Sequence, residues 1–210
     1  MSSRPSSMGR SYQPCLKSET GWIAGWQLLS HMVGKRTLQG VVMTAEALEG
    51  RFAAIVQVAA DLLKAHGFRK RGRTFRRPAH GNLEVIEFQR SHGNSAATLR
   101  FTLNIGVVSA HLAGERELDL SKAGSADAHL RRRIGDFLPV PDDKWWELST
   151  GGSDDTVIAE ITSLLAHHAV PYLSDHSSDT ALVRLWESGQ SPGITKGLCE
   201  RYLSSLRFAT

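Results

Sequence analysis

The chain has 210 residues, of which 41% are hydrophobic and 22% are charged, as is typical of a folded globular protein. Its length fits one domain with an extension, and no apolar run is long enough to span a bilayer. The two cysteines, Cys15 and Cys199, lie far apart and form neither a redox motif nor a metal-ligand spacing, which argues against a disulfide scaffold. We therefore expect a cytoplasmic protein, in a reducing compartment, that holds no metal and no cofactor.

The net charge of +4 lies in the N-terminal part of the chain. Residues 1–43 contain five basic residues and one acidic residue, whereas residues 44–210 contain 20 of each. The main part of the chain is therefore neutral, and only a local cluster of cations can indicate an anionic partner there.

The first 43 residues show neither a firm structural element nor a complete targeting signal. Residues 1–21 are rich in Ser, Gly and Arg, which favours disorder. Residues 22–33 are mildly apolar and suggest a membrane-surface helix or a signal segment, but residues 34–37 offer no cleavage site. Because a clear helix starts directly after Met43, we predict that residues 1–43 are a disordered extension or lie upstream of the true translation start. Residues 44–210 are then expected to form a single domain.

The order of predicted elements after Met43 indicates an α+β fold. Apolar residues at helical spacing predict a helix over residues 44–66, and further helices are predicted to begin near Ser153, Ser178 and Thr195. Between them lie runs with strand character, joined mostly by short turns: residues 68–77, 83–90, 98–107, 129–138 and, as a short strand or turn, 145–148. We predict an antiparallel sheet of four or five strands, with the N-terminal helix and the C-terminal helices packed on one face.

The clearest strand pattern in the chain covers residues 98–107. The odd-numbered residues from Leu99 to Val107 are all apolar, and the even-numbered residues from Thr98 to Gly106 are polar or small. A single sheet with helices on one side buries its apolar face and exposes its polar face to water. This pattern predicts a solvated face that carries Arg100, Thr102 and Asn104.

Residues 67–77 contain six basic residues, two phenylalanines and no acidic residue. One interpretation is a nucleic-acid interface over residues 64–77, in which Phe68 and Phe75 stack on bases. The other is a cationic edge strand that discourages aggregation, with both phenylalanines in the core. Because charged runs are usually solvated faces, the sequence favours the second interpretation.

Four segments in this order resemble an uncharacterised bacterial family, the domain of unknown function 4304. They are Gly67-Phe-Arg-Lys-Arg-Gly-Arg-Thr-Phe75, Phe101-Thr-Leu-Asn-Ile-Gly106, His129-Leu-Arg-Arg-Arg-Ile-Gly135 and Trp145-Trp146. The resemblance covers about residues 44–175 and implies a compact α+β domain in a bacterial cytoplasm. It implies no reaction, because the family has no assigned activity.

The candidate binding surface lies on the polar face of the predicted sheet. It comprises Arg73, Arg100, Asn104, His129, Arg131, Arg133 and Trp145. Guanidinium groups on one exposed face suit an acidic protein segment or another anion, and neutralisation of a toxin by direct binding is compatible with this hypothesis. The alternative is that these arginines pair with Glu84, Glu87 and Asp136 on neighbouring strands.

Other functions receive less support from the sequence. Nucleic-acid binding by residues 64–77 is the second hypothesis. An enzyme that uses His129 as a general base is the third, and it lacks a nucleophile or partner group at a recognisable spacing. Since no catalytic, nucleotide-binding or metal-binding motif is present, we expect a non-enzymatic binding protein.

Overall fold

The computed structural model describes residues 45–149, 153–191 and 193–207, so the predicted extension over residues 1–43 lies outside the described part. The described residues form one sheet and six helices. The helices are α1 (Ala45–Ala65), α2 (Ala110–Gly114), α3 (Asp154–Leu164), α4 (Val170–Asp175), α5 (Asp179–Glu187) and α6 (Lys196–Arg207). The strands are β1 (Arg69–Arg71), β2 (Thr74–Ala79), β3 (Asn82–Arg90), β4 (Thr98–Val108), β5 (Leu130–Arg133) and β6 (Trp146–Ser149).

The sheet is antiparallel throughout and has the order β1-β2-β3-β4-β5. Strand β4 has two partners on the same edge: β6 pairs with the N-terminal half of β4, and β5 pairs with its C-terminal half. The predicted α+β class is thus confirmed. The sheet has one strand more than the predicted maximum, because residues 68–77 form two strands joined by a tight turn at Gly72, whose φ is 64°. A φ in this region favours glycine, which has no Cβ to clash.

Strand β5 ends at Arg133, five residues earlier than predicted, because the chain enters a 3₁₀ turn over Ile134–Phe137. Gly135 lies against the backbone of the returning loop, and a Cβ on it would stand 1.8 Å from the carbonyl oxygen of Asp142. This close approach lets the loop fold back and place Trp146 beside β4.

The main core lies between the sheet and α1. Phe101 is fully buried, and its ring centroid lies 5.0 Å from that of Phe52 on α1, 6.0 Å from Phe88 on β3 and 5.6 Å from Trp146 on β6. Buried aromatic rings dominate the energetics of such cores. Helices α3 to α6 all contribute side chains to the same cluster.

The C-terminal helices begin where the sequence predicted. Ser153 precedes α3 and its Oγ accepts a hydrogen bond from the Asp155 amide, and Ser178 caps α5 in the same way through the Ala181 amide. Pro171 widens the helix and does not end it: the turn Leu165–Ala169 is π-helical, and α4 continues beyond. Proline has no amide hydrogen to donate to the preceding turn, which favours such a local widening.

The second face of the sheet is partly covered, contrary to the prediction of a solvated polar face. Residues 110–127, which we call the cover segment, contain α2 and a 3₁₀ turn and lie across β3 and β4. They enclose a second apolar cluster: Leu83, Val85, Val108, Ala113, Ala123 and Ala128. Glu87 joins this cover as a hydrogen-bond acceptor for the Ser125 amide and hydroxyl. The open parts of this face are therefore the region around β5 and β6 and the outer edge at β1.

Candidate functional site

Four exposed or half-buried side chains on the open part of the second face around β5 and β6 form what we call the arginine–tryptophan patch: Arg100, Arg131, Arg133 and Trp145. The pairing of Asn104 with Arg133 and of Gly106 with Arg131 directs both β5 arginines away from the α1 side of the sheet. Arg100 follows the same alternation on β4. Trp145 directly precedes β6, and the first residue of β6, Trp146, points into the core.

Two arginines contact the Trp145 ring. The Cζ atoms of Arg133 and Arg100 lie 5.3 Å and 5.8 Å from the ring centroid, within cation–π range. The indole Nε1 of Trp145 donates a 3.0 Å hydrogen bond to Asp143, and Arg133 donates a 2.6 Å bond to the other oxygen of this carboxylate. Both hydrogen bonds lower the pKa of Asp143, and the bond from Trp145 has the larger effect. Trp145 is therefore held in a fixed orientation between charged groups.

The carboxylates that pair with the patch are exposed to solvent. Arg133 pairs with Asp143, whose side chain is 62% exposed, and Arg100 lies 3.8 Å from Glu147, which is 53% exposed. Exposed pairs of this kind contribute about 0–1 kcal/mol. The sequence had suggested Glu84, Glu87 and Asp136 as the partners. Asp143 and Glu147 were missed, although both lie within two residues of the singled-out tryptophans.

Arg131 is exposed and has no hydrogen-bond or ion-pair partner among residues 45–149, 153–191 and 193–207. It borders a shallow cleft of about 330 Å³ that Asn104, Arg132, Arg133, Asp136 and Gly193 also line. Arg132 points to the opposite side of β5, pairs with Asp136 and lies over the rings of Phe137 and Tyr172. Arg131 is thus the patch cation that is most available to an external anion.

Three of the seven predicted site residues are not part of this patch: Asn104, which borders the same cleft but is almost buried, Arg73 and His129. Asn104 is 9% exposed and donates a 2.7 Å hydrogen bond to Gln89, so it lies beneath the surface. Arg73 is exposed but sits at the β1–β2 turn, three strands from β5. The seven residues therefore do not form one surface, because Arg73 lies at the far end of the sheet and residues 110–127 cover the middle of the face.

His129, predicted to join the exposed arginines or to act as a general base, is buried with only 5% exposure. Its Nδ1 accepts a 3.1 Å hydrogen bond from the Ser109 amide, and its ring meets Tyr202 of α6 edge-on at 5.1 Å. Its Nε2 is enclosed by protein without a hydrogen-bond partner. Burial, with a smaller contribution from Arg116, lowers the pKa of His129 to about 4. The side chain is therefore neutral near pH 7 and stabilises the contact with α6.

The lowered pKa of His129 predicts a loss of stability in acid. Between about pH 6.5 and pH 4 the unfolded chain binds a proton that the folded chain does not, so the free energy of unfolding falls as the pH falls through this range. We expect His129 to contribute a loss of up to about 3 kcal/mol. Urea denaturation at a series of pH values measures it. His129→Asn retains an acceptor for the Ser109 amide but does not titrate, and its pH profile should be flatter. Parallel profiles for the two proteins would contradict the prediction.

The basic run over residues 67–77 forms the β1–β2 hairpin. Phe68 and Phe75 are 3% and 1% exposed, so the idea that they stack on bases is wrong, and their place in the core is confirmed. Arg76 and Arg77 are half-buried, and each donates hydrogen bonds to other parts of the protein. The remaining four basic residues of the run are exposed: Arg69, Lys70, Arg71 and Arg73.

The described residues offer neither a metal site nor a membrane-spanning helix. In the described part of the chain, no group of three His, Cys, Asp or Glu side chains is arranged to hold a metal ion. Among the helices described above, none combines the length and apolarity needed to cross a bilayer.

The fold and the patch together define an α+β protein in which helices cover one face of a single antiparallel sheet and a small polar surface remains at the edge of the other. A family model described as "Domain of unknown function (DUF4304)" matches residues 59–175. Since the match covers more than half of the chain, the protein belongs to this family. No curated protein and no solved structure matches the chain.

Proposed function

We propose that this protein is a non-enzymatic binding module whose arginine–tryptophan patch recognises an acidic segment of a partner protein. One observation carries the proposal: the exposed side of the sheet presents Trp145 in contact with two guanidinium groups. Tryptophan and arginine are the residues that most often dominate binding energy at protein interfaces. Neutralisation of a toxin with an acidic surface is one biological form of such binding.

The ion pairs within the patch are weak enough to be exchanged. Asp143 and Glu147 are more than half exposed, so little desolvation is needed for a partner carboxylate to take their places beside Arg133 and Arg100. Trp145 directly precedes β6, and its indole offers an apolar surface between the two charges. Charged contacts flanking an aromatic anchor are the arrangement expected of a specific protein interface.

Arg131 and Arg133 are spaced to contact an extended partner segment that runs along β5. Arg131 lies two residues before Arg133 on the same side of β5, at a spacing of about 6.6–6.8 Å along the strand. Alternate acidic residues of an extended segment have the same spacing, so one segment would reach both arginines. The cleft beside Arg131 provides room for the side chain of such a partner.

A short fluorescein-labelled poly-Glu peptide, titrated with the full chain, tests the proposal by fluorescence anisotropy. Replacing Arg131 with Gln and Trp145 with Ala should weaken binding by about two- to fivefold each, the worth of one exposed ion pair or one cation–π contact. The control is Arg184→Gln, which removes an exposed cation from α5 and should leave the affinity unchanged.

Two results would contradict the proposed site. Affinity for poly-Glu that does not change between low and high salt would exclude an electrostatic interface. Equal losses for Arg131→Gln and Arg184→Gln would show that the peptide responds only to total charge. A neutral poly-Gln peptide should bind much more weakly than poly-Glu.

A further inference from the structure

We infer that the β1–β2 hairpin binds the phosphate groups of a nucleic-acid backbone through Arg69, Arg71 and Arg73. This surface is separate from the arginine–tryptophan patch. Strand β1 lies four strands from β5, about 19 Å at the usual spacing between strands. The inference rests on the hairpin's charge and register, and is independent of the function proposed above.

The register of the hairpin places like charges opposite each other. Arg69 pairs with Arg76, and Arg71 pairs with Thr74, so the side chains of Arg69, Arg71 and Arg76 lie on one side of a two-stranded ribbon. Arg73 lies in the turn that joins the two strands. Like charges directly opposite each other destabilise a sheet. No acidic residue occurs between Asp61 and Glu84, and therefore neither β1 nor β2 contains a carboxylate that could offset this repulsion. A bound anion would relieve it.

The other two arginines of the run hold the hairpin in place. Arg76 donates hydrogen bonds of 2.7 Å to the carbonyl of Ala123 and 3.2 Å to that of Lys122, which turns its charge toward the cover segment. Arg77 pairs with Glu84 and donates to the carbonyl of His66. The hairpin is thus fixed at its base, while its exposed cations point outward.

The exposed cations of the hairpin differ from Arg100 and Arg133 of the patch in having no carboxylate partner. Within the described ranges, which end at Arg207 and omit 150–152 and 192, Arg69, Arg71 and Arg73 form no ion pair. Charged side chains on an edge strand also discourage aggregation. A cluster of unpaired guanidinium groups in addition matches the multiple phosphates of a nucleic-acid strand.

The same geometry excludes recognition of bases by stacking. Phe68 and Phe75, the aromatic residues of the run, both lie in the core. Proteins that prefer single strands use exposed aromatic rings as stacking platforms, and this hairpin offers none. We therefore expect contacts with the backbone of a duplex, without preference for its sequence.

The test is fluorescence anisotropy of a short labelled DNA duplex of random sequence, titrated with the full chain over a range of salt concentrations. The variant Arg69→Gln, Arg71→Gln, Arg73→Gln should lower the affinity at least tenfold near about 0.1 M salt. The plot of log K against log salt has a negative slope, and its magnitude should fall by about 2.7, because each lost phosphate contact removes about 0.9. All three positions are exposed, and circular dichroism should confirm that the fold is retained.

The matched control removes three exposed cations from α5 and α6 by Arg184→Gln, Lys196→Gln and Arg201→Gln, with the same change in net charge. It should bind the duplex as the unchanged protein does. The N-terminal cations are present in all three proteins and cancel in the comparison. Absence of duplex binding at micromolar protein in low salt would overturn the inference, as would equal losses in the two triple variants. Binding to phosphatidylserine vesicles without binding to duplex would also overturn it, because it would assign the hairpin to membranes.

Discussion

Replacing Arg77 with Met should lower the free energy of unfolding by about 3–5 kcal/mol, the cost of removing one partner of a buried ion pair. Arg77 pairs with Glu84, whose side chain is 0% exposed, and it also donates hydrogen bonds to the His66 carbonyl and, at 2.8 Å, to Ser174. Without the guanidinium group, the Glu84 carboxylate would stay buried with neither of its oxygens paired, since Oε1 already has no partner. Urea denaturation of the variant measures the loss.

The double variant Arg77→Met, Glu84→Leu separates the buried charge from the lost packing. It removes both charges, so we expect it to recover most of the stability lost by the single variant. Arg100→Met serves as the control, because its pair with Glu147 is exposed and should be worth no more than about 1 kcal/mol. A double variant that is no more stable than Arg77→Met would show that the loss comes from the missing hydrogen bonds to His66 and Ser174.

Glu84 also shows where sequence patterns stop being informative. Residues 83–90 were correctly predicted as a strand, and pairing with Val107 places Glu84 on the same side as the core residues Ile86 and Phe88. Alternation alone therefore puts a carboxylate among apolar side chains. Its partner Arg77 is seven residues earlier on a strand whose register is fixed by the turn at residues 80–81. Only the assembled β2–β3 pair, in which Arg77 lies opposite Glu84, shows why the buried charge of Glu84 is tolerated.

Local patterns indicate the side of the sheet on which the patch side chains lie, but not which segments pack around them. The alternation of β4 and β5 puts Arg100, Arg131 and Arg133 on one side of the sheet, and the strand registers agree with it. The burial of Asn104 and His129 depends on how residues 110–127 fold back over the sheet and on α6, which is distant in sequence and approaches only in the folded chain. A cue was present at Gly106, where a Cβ would lie 2.4 Å from that of Ala128, because a glycine within a strand often marks a close approach.

Replacing Phe101 with Ala should cost about 3–5 kcal/mol of unfolding free energy, because it leaves a cavity at the centre of the aromatic core. The ring is 0% exposed and contacts Phe52, Phe88 and Trp146, which belong to three different elements. Urea denaturation measures this loss, and Phe101→Leu, which fills most of the volume, should lose less. A cost below about 1 kcal/mol for the alanine variant would mean that the site collapses around the smaller side chain.

The Phe101 variants also connect the core to the patch. Trp146 stacks on Phe101 at 5.6 Å, and its chain neighbour Trp145 carries the contacts to Arg100 and Arg133. A cavity under Trp146 should loosen β6 and with it the indole of Trp145. We therefore expect Phe101→Ala to weaken poly-Glu binding under conditions in which the protein remains folded, and to leave duplex binding by the β1–β2 hairpin unchanged. An equal loss of both activities would indicate general unfolding, whereas selective loss at the patch would show that Trp145 is positioned from the core side.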